Sequence, residues 1–235
     1  MLARLNGPVI ESLIEERGTR LRPCPTERRA CYPAGEWRTG VPLTWGCSGS
    51  IAGVTEVDDG RHGRVELTTH DLRVVARFAV ETARNALPIF EQSCPDDGRP
   101  RAALEAAWVF AEGAKRTKLQ RTSALAAHTA AREAPTEAAR EAARAAGHAA
   151  AAAYLHPLAA PTQVRHILGA AACAARAVEL AAGGDPHVGT ASLDEARRRA
   201  TPELIAVLTR YPTVPSGGNR VAQLVKELDT SLRLG

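Results

Sequence analysis

This sequence predicts an all-α protein: a compact bundle or array of about six to seven helices behind an irregular N-terminal extension. Three observations carry that expectation. From Thr68 onward, apolar residues recur at spacings of three and four, the period of a helix that buries one face. The stretches between these runs are short and marked by Pro, Gly and capping residues. Aromatic residues make up only 4% of the chain, so the core must be built from alanine, leucine and valine.

Taken in order, residues 1–66 read as one unit: a helix over Val9–Arg17, then an irregular Cys- and Trp-containing extension. Cys24, Cys31, Cys47, Trp37 and Trp45 lie there among turn residues too frequent for a helical period to persist. Residues 67–235 read as an alanine-rich helical domain. Its first helix opens at Thr68, whose T-x-x-D spacing with Asp71 is that of a capping box. Leu72, Val75, Ala76, Ala79, Ala83, Ala86, Leu87 and Phe90 share its buried stripe, and Pro88 kinks it near the end. After the loop CPDDGRP, Pro100 fits the first turn of a helix that buries Leu104, Ala107, Trp108 and Ala111 and stops at Gly113. A further helix spans 117–133. Pro135 opens the next, which runs through the alanine tract to Pro157. Another begins near Pro161 and ends at Gly183-Gly184, a C-terminal capping signal. Ser192 and Glu195 cap a helix reaching Tyr211, and the last helix, 219–232, turns Val221, Leu224, Val225 and Leu228 inward.

Composition excludes several classes. The formal charge is only +4, with 30 basic and 26 acidic residues interspersed rather than clustered. Apart from Lys115, Lys118 and Lys226 every basic residue is arginine, a bias that a GC-rich genome produces as readily as phosphate recognition does. No signal peptide is expected in MLARLNGPVIESLIEERG, and no apolar run is long enough to predict a membrane span. Five cysteines do not suggest a disulfide scaffold. A cytoplasmic location is expected.

The candidate chemistry sits where helices trimmed to alanine retain imidazoles. Glu137, Glu141, Arg144 and His148 fall on one stripe of the helix from 135, and Arg121, Leu125, His128 and Arg132 form a similar line on the helix from 117. If these helices pack antiparallel through their alanine faces, His128 and His148 approach one cleft, where either acts as general acid or base. The competing reading makes each a partly exposed or core-satisfied histidine. His156 lies eight residues beyond His148, too far along the axis to share a metal with it. No H-E-x-x-H and no Glu-x-x-His signature is present, so neither metal nor cofactor is expected. Cys24, Cys31 and Cys47 with His62 lack the paired knuckle of a zinc site.

Asp96 and Asp97 precede a helix start, where carboxylates suit the dipole, and Arg101 and Glu105 have ion-pair spacing. The functional alternative has Asp96 or Asp97 orient an imidazole while Arg99 holds an anion. The basic stretch KRTKLQR, 115–121, has no interleaved aromatics for stacking bases and reads as a solvated helix start.

Three segments, PDDGRPRAALEAA (Pro95–Ala107), AAHTAARE (Ala126–Glu133) and AARAAGHAAAAAYL (Ala142–Leu155), resemble a family of bacterial helical proteins of the Imm-5-like immunity type. Some relatives carry the label exonuclease SbcC; no clustered carboxylates suitable for two metals support a nuclease here. The resemblance covers roughly 68–182, and the N-terminal extension departs from it. It implies a protein that binds and neutralises a partner, with Asp96, Asp97, Arg99, Arg101, Glu105, His128, Arg132 and His148 as the shared polar positions and His156 matching a further histidine. The expected function is therefore an immunity-like binding protein whose partner is a protein toxin or a small-molecule ligand. The alternative is an enzyme of specialised metabolism using His/Asp acid–base chemistry. A homodimer is compatible with the sequence; nucleic acid and membrane are not expected partners.

Overall fold

The capping box read from Thr68 and Asp71 forms. The Asp71 N–H donates to the Thr68 hydroxyl at 3.1 Å, and the Thr68 N–H donates to the Asp71 carboxylate at 2.8 Å. Two donors that the helix start would otherwise leave unsatisfied are thereby paired, and α1 (Thr69–Ala83) begins there. Arg210 reaches the same carboxylate at 3.0 Å, which ties the C-terminal part of the chain to this first helix. The structure, a computed structural model, describes residues 63–235. The helix expected at Val9–Arg17, the three N-terminal cysteines and His62 lie outside the described residues.

Ahead of Pro88 the chain tightens into a 3-10 turn, Arg84–Ala86, and continues as α2 (Leu87–Ser93). Proline has no N–H to donate and its ring crowds the preceding turn, so the single kinked helix of the sequence reading becomes two. Then follow α3 (Arg99–Ala111), α4 (Lys118–Glu133) and α5 (Glu137–Ala151). The cap of α5 is Thr136, whose hydroxyl accepts the Ala139 N–H, rather than Pro135. A 3-10 turn, Ala152–Tyr154, ends the alanine tract before α6 (Pro161–Ala181). Gly183 and Gly184 stop α6 with φ of 81° and 87°, a conformation that a Cβ penalises.

The helix expected from Ser192 to Tyr211 is corrected twice. It starts earlier, as α7 (Pro186–Arg199), because Asp185 and Pro186 supply the cap and first position; Ser192 is interior. It also breaks before Pro202, where Thr201 caps a separate α8 (Pro202–Leu208). Asn219 caps α9 (Arg220–Leu234) as the sequence suggested. Breaks at Pro88 and Pro202 account for the helix tally rising above six to seven. Among the described residues all regular elements are helical, apart from one isolated bridge between Arg64 and Leu158.

α6 is the central element. Residues 167–175 are buried without interruption, so this helix is covered all round, with α5, α1, α7 and α9 packed on it. α4 packs on the other side of α5, and α3 lies against both. The buried faces of α4 and α5 are mostly alanine and glycine, which lets these backbones approach closely, while Val164, Ile167 and Leu168 of α6 and Leu104 and Phe110 of α3 supply larger core side chains. Buried charges also sit in this packing. Glu179 of α6, 1% exposed, is held by Arg176 at 2.5 Å and by Arg220 of α9 at 2.9 Å. Gly189 of α7 passes directly over that carboxylate, where any Cβ would overlap it.

Candidate functional site

The close packing of α4, α5 and α6 has one purposeful interruption. His128 of α4 and His148 of α5 lie edge to face, with ring centroids 5.2 Å apart and planes at 83°. Each ring rests on a glycine of the next helix. A Cβ on Gly147 would come within 2.7 to 2.9 Å of the His128 ring, and one on Gly169 would stand 3.4 Å from the His148 ring. The rings thus step across three helices: His128 fills the space that a side chain at 147 would need, and His148 stands at ordinary contact distance from a Cβ at 169. His166 lies on α6 one turn before Gly169, and a charge there would act on both other imidazoles.

Burial keeps this cluster neutral. Desolvation, followed by the nearby charges of Arg144, Arg132 and His166, lowers the His128 pKa to about 4. Desolvation, then His128, His166 and Arg144, lowers His148 to about 3. Desolvation also lowers His166. His148 keeps a thin exposed edge, yet protein atoms crowd it as densely as any core group. The crowding governs, because the cost of charging a ring depends on the whole surrounding volume and not on its edge alone. Two turns earlier on α5, Glu141 is 5% exposed; its Oε1 accepts from Arg144 at 2.7 Å, while its Oε2 is buried with no hydrogen-bond partner.

The acidic turn is differently committed. Asp97 accepts the Arg99 backbone N–H at 3.1 Å and both guanidinium donors, at 2.8 and 2.6 Å, and Arg99 also reaches Glu133 at 2.5 Å. Burial raises the Asp97 carboxyl, but the Arg99 hydrogen bonds and charge outweigh it and hold it below the usual range. This joins the start of α3 to the end of α4. Asp96 is exposed at the same turn. Arg101 pairs with Glu91 of α2 at 2.6 Å and not with Glu105, which corrects the i, i+4 pair expected from spacing: a partner across the helix interface wins over one along the helix. Arg132 is exposed and donates to the Thr129 hydroxyl at 2.8 Å. His156 shapes a turn: its Nδ1 accepts the Leu158 N–H at 3.2 Å and its carbonyl accepts from Tyr211 at 2.9 Å.

Of the expected site residues, then, the fold brings His128 and His148 into contact and adds His166, which the sequence reading missed. The sequence signal for the close ring packing of His128 and His148 was present in Gly147 and Gly169. Glycine inside a helix costs about 1 kcal/mol relative to alanine, so two such glycines amid alanines mark close approaches. Among the described residues no group of three or more His, Cys, Asp or Glu is arranged to hold a metal. The arrangement offers neutral imidazole donors and acceptors beside two arginines.

The glycine seat can be tested directly. Gly147→Ala loses stability, by about 1 kcal/mol net, because ring overlap outweighs the propensity gain of about 1 kcal/mol. In a His128→Ala background the seat is vacant and the same substitution becomes stabilising, as urea unfolding of the four variants checks.

Among curated proteins and among solved structures, nothing matches this chain. A family model does, over residues 65–205, more than half the chain and the whole span from α1 into α8. By that match the chain belongs to the Imm-5 like putative immunity protein family.

Proposed function

We propose that the chain is an immunity-type binding protein that occupies and neutralises a protein partner. The observation that carries this reading is the family match over residues 65–205, which takes in every element that builds the histidine cluster. The chemistry of the cluster supports it. A general acid or base works best with a pKa near the operating pH, whereas His128 and His148 are lowered to about 4 and about 3. The charged groups acting on them are arginines and histidines, and the carboxylate that would orient an imidazole, Asp97, is held by Arg99. In this reading the histidines are packing elements that set the spacing of α4, α5 and α6, and recognition belongs to the surface. No helix among the described residues is long and apolar enough to cross a membrane.

The enzyme reading has one observation in its favour, the contact between the two imidazoles. Co-expression with the product of a neighbouring gene that arrests growth separates the two. An immunity-type protein restores growth and co-purifies with that product, and His128→Gln with His148→Gln leaves protection intact. Folded chain that neither protects nor forms the complex overturns the proposal, and protection that vanishes with the two imidazoles favours catalysis.

A further inference from the structure

The loop from α3 into α4 carries a surface that the sequence alone does not reveal. Lys115, Arg116, Lys118 and Arg121 fall within seven consecutive residues, and among the described residues none of them has a carboxylate partner. Arginines elsewhere are commonly neutralised: Arg77 by Glu112, Arg99 by Asp97, Arg101 by Glu91, Arg176 and Arg220 by Glu179. Other cations without a carboxylate partner, such as Arg132, Arg140 and Arg197, stand apart along the chain, whereas these four share one short stretch.

They are also held in position. Tyr154, from the turn after α5, lies beneath two guanidinium groups, Arg116 at 5.0 Å and Arg121 at 4.7 Å from its ring centre. Its hydroxyl donates to the Thr117 carbonyl at 2.7 Å, and Arg116 donates to the Ala153 carbonyl at 3.0 Å, so loop and turn clamp each other. From the other side Arg73 of α1 donates to the Gly113 carbonyl at 2.6 Å, where the backbone takes the positive φ of 113° that suits glycine. A guanidinium lying on an aromatic face keeps its N–H edge free for a carboxylate and has less freedom to lose on binding. Leu119 and Leu125, 56% and 50% exposed, lie on the same first turns of α4. Arginine and tyrosine are among the side chains enriched in protein-binding hot spots.

We propose that this face is the docking surface of the chain and that it takes an acidic polypeptide segment, its carboxylates on Lys118 and Arg121 and its apolar side chains on Leu119 and Leu125. A nucleic acid fits less well. Bases stack on open aromatic faces, whereas Tyr154 is covered by two guanidinium groups with its hydroxyl engaged. The proposal rests on the binding-protein reading above but is tested separately from it.

The probe is a fluorescein-labelled peptide of alternating glutamate and leucine, titrated with the full chain at low salt. A single-stranded oligothymidylate of equal charge serves as comparison. The chain binds the peptide more tightly than the oligonucleotide, and Lys118→Glu with Arg121→Glu weakens peptide binding by about tenfold or more. Acidic residues in the first turn suit the dipole of α4, so this variant keeps its fold, which its melting curve verifies. Arg197→Glu with Lys226→Glu, on α7 and α9, leaves peptide binding unchanged. Equal or tighter binding of the oligonucleotide, or equal losses in both charge-reversed variants, overturns the proposal. In the growth assay, a wild-type chain that protects while the Lys118/Arg121 variant protects equally removes this docking surface and leaves the immunity reading standing. A wild-type chain that fails to protect, with peptide binding intact, does the reverse.

Discussion

Replacing Asp229 with alanine lowers the free energy of unfolding by about 3–5 kcal/mol, the range for breaking a buried charge pair by removing one partner. Asp229 is 0% exposed on α9. One of its oxygens accepts the Val214 N–H at 3.1 Å and the other pairs with Arg233 at 2.6 Å. Arg233 in turn donates to the Leu208 and Tyr211 carbonyls, each at 3.0 Å. The carboxylate thus anchors the loop after α8 to the final helix. Its loss strands a buried N–H and leaves a guanidinium, itself only 17% exposed, without its counter-charge. Asp229→Asn keeps an acceptor for Val214 and loses about half as much. Urea denaturation of the three proteins is the measurement. A change under about 1 kcal/mol for the alanine variant would mean that the loop is held by packing and not by this network.

Acid weakens the protein well above the pH at which its carboxylates protonate. Folded, His128 and His148 have pKa values lowered to about 4 and about 3; unfolded, they return to the ordinary 6.5. Above pH 6.5 both states hold neutral rings and stability is full. Below it the unfolded chain takes up protons that the folded chain excludes, so stability falls with pH until the folded rings protonate near 4 and 3. Between pH 7 and pH 5 the two sites together remove on the order of 4 kcal/mol, and His166 acts in the same direction. Asp71 and Asp97, held below the usual carboxylate range, lose their contribution only at lower pH, so this window reports on the histidines. Stability curves at pH 7 and pH 5 show the loss in the parent protein, and His128→Gln with His148→Gln flattens it. An equal loss in that double variant would place the acid sensitivity elsewhere.

These two effects mark where sequence reading succeeds and where it stops. The inward pattern on the last helix was legible for Leu224, Val225 and Leu228, which are buried. Asp229, the next residue, is equally buried but breaks the apolar pattern: it pairs with Arg233 four residues on, and it also accepts the Val214 N–H from a loop 15 residues earlier in the chain. Helix starts were legible at Thr68 and Asn219, whose caps act within three residues. The break at Pro202 was missed, although a threonine before proline is itself a cap signal, because a second candidate cap at Ser192 drew the helix start away from Asp185.

The candidate surfaces divide the same way. The basic run 115–121 was visible, but its aromatic partner, Tyr154, lies 33 residues beyond Arg121 and arrives only when α5 folds back beside α4. His128 and His148 were visible as retained imidazoles, while His166 and the glycine seats gained meaning from the helix crossings. By itself, then, the sequence determined that the chain is helical, where most helices begin and end, and which family it resembles, because caps, prolines and apolar period act over a few residues. Only the tertiary structure decided which charges are buried, which arginine finds which carboxylate and which imidazoles touch. Those outcomes depend on distances between helices that small side chains permit but do not encode locally.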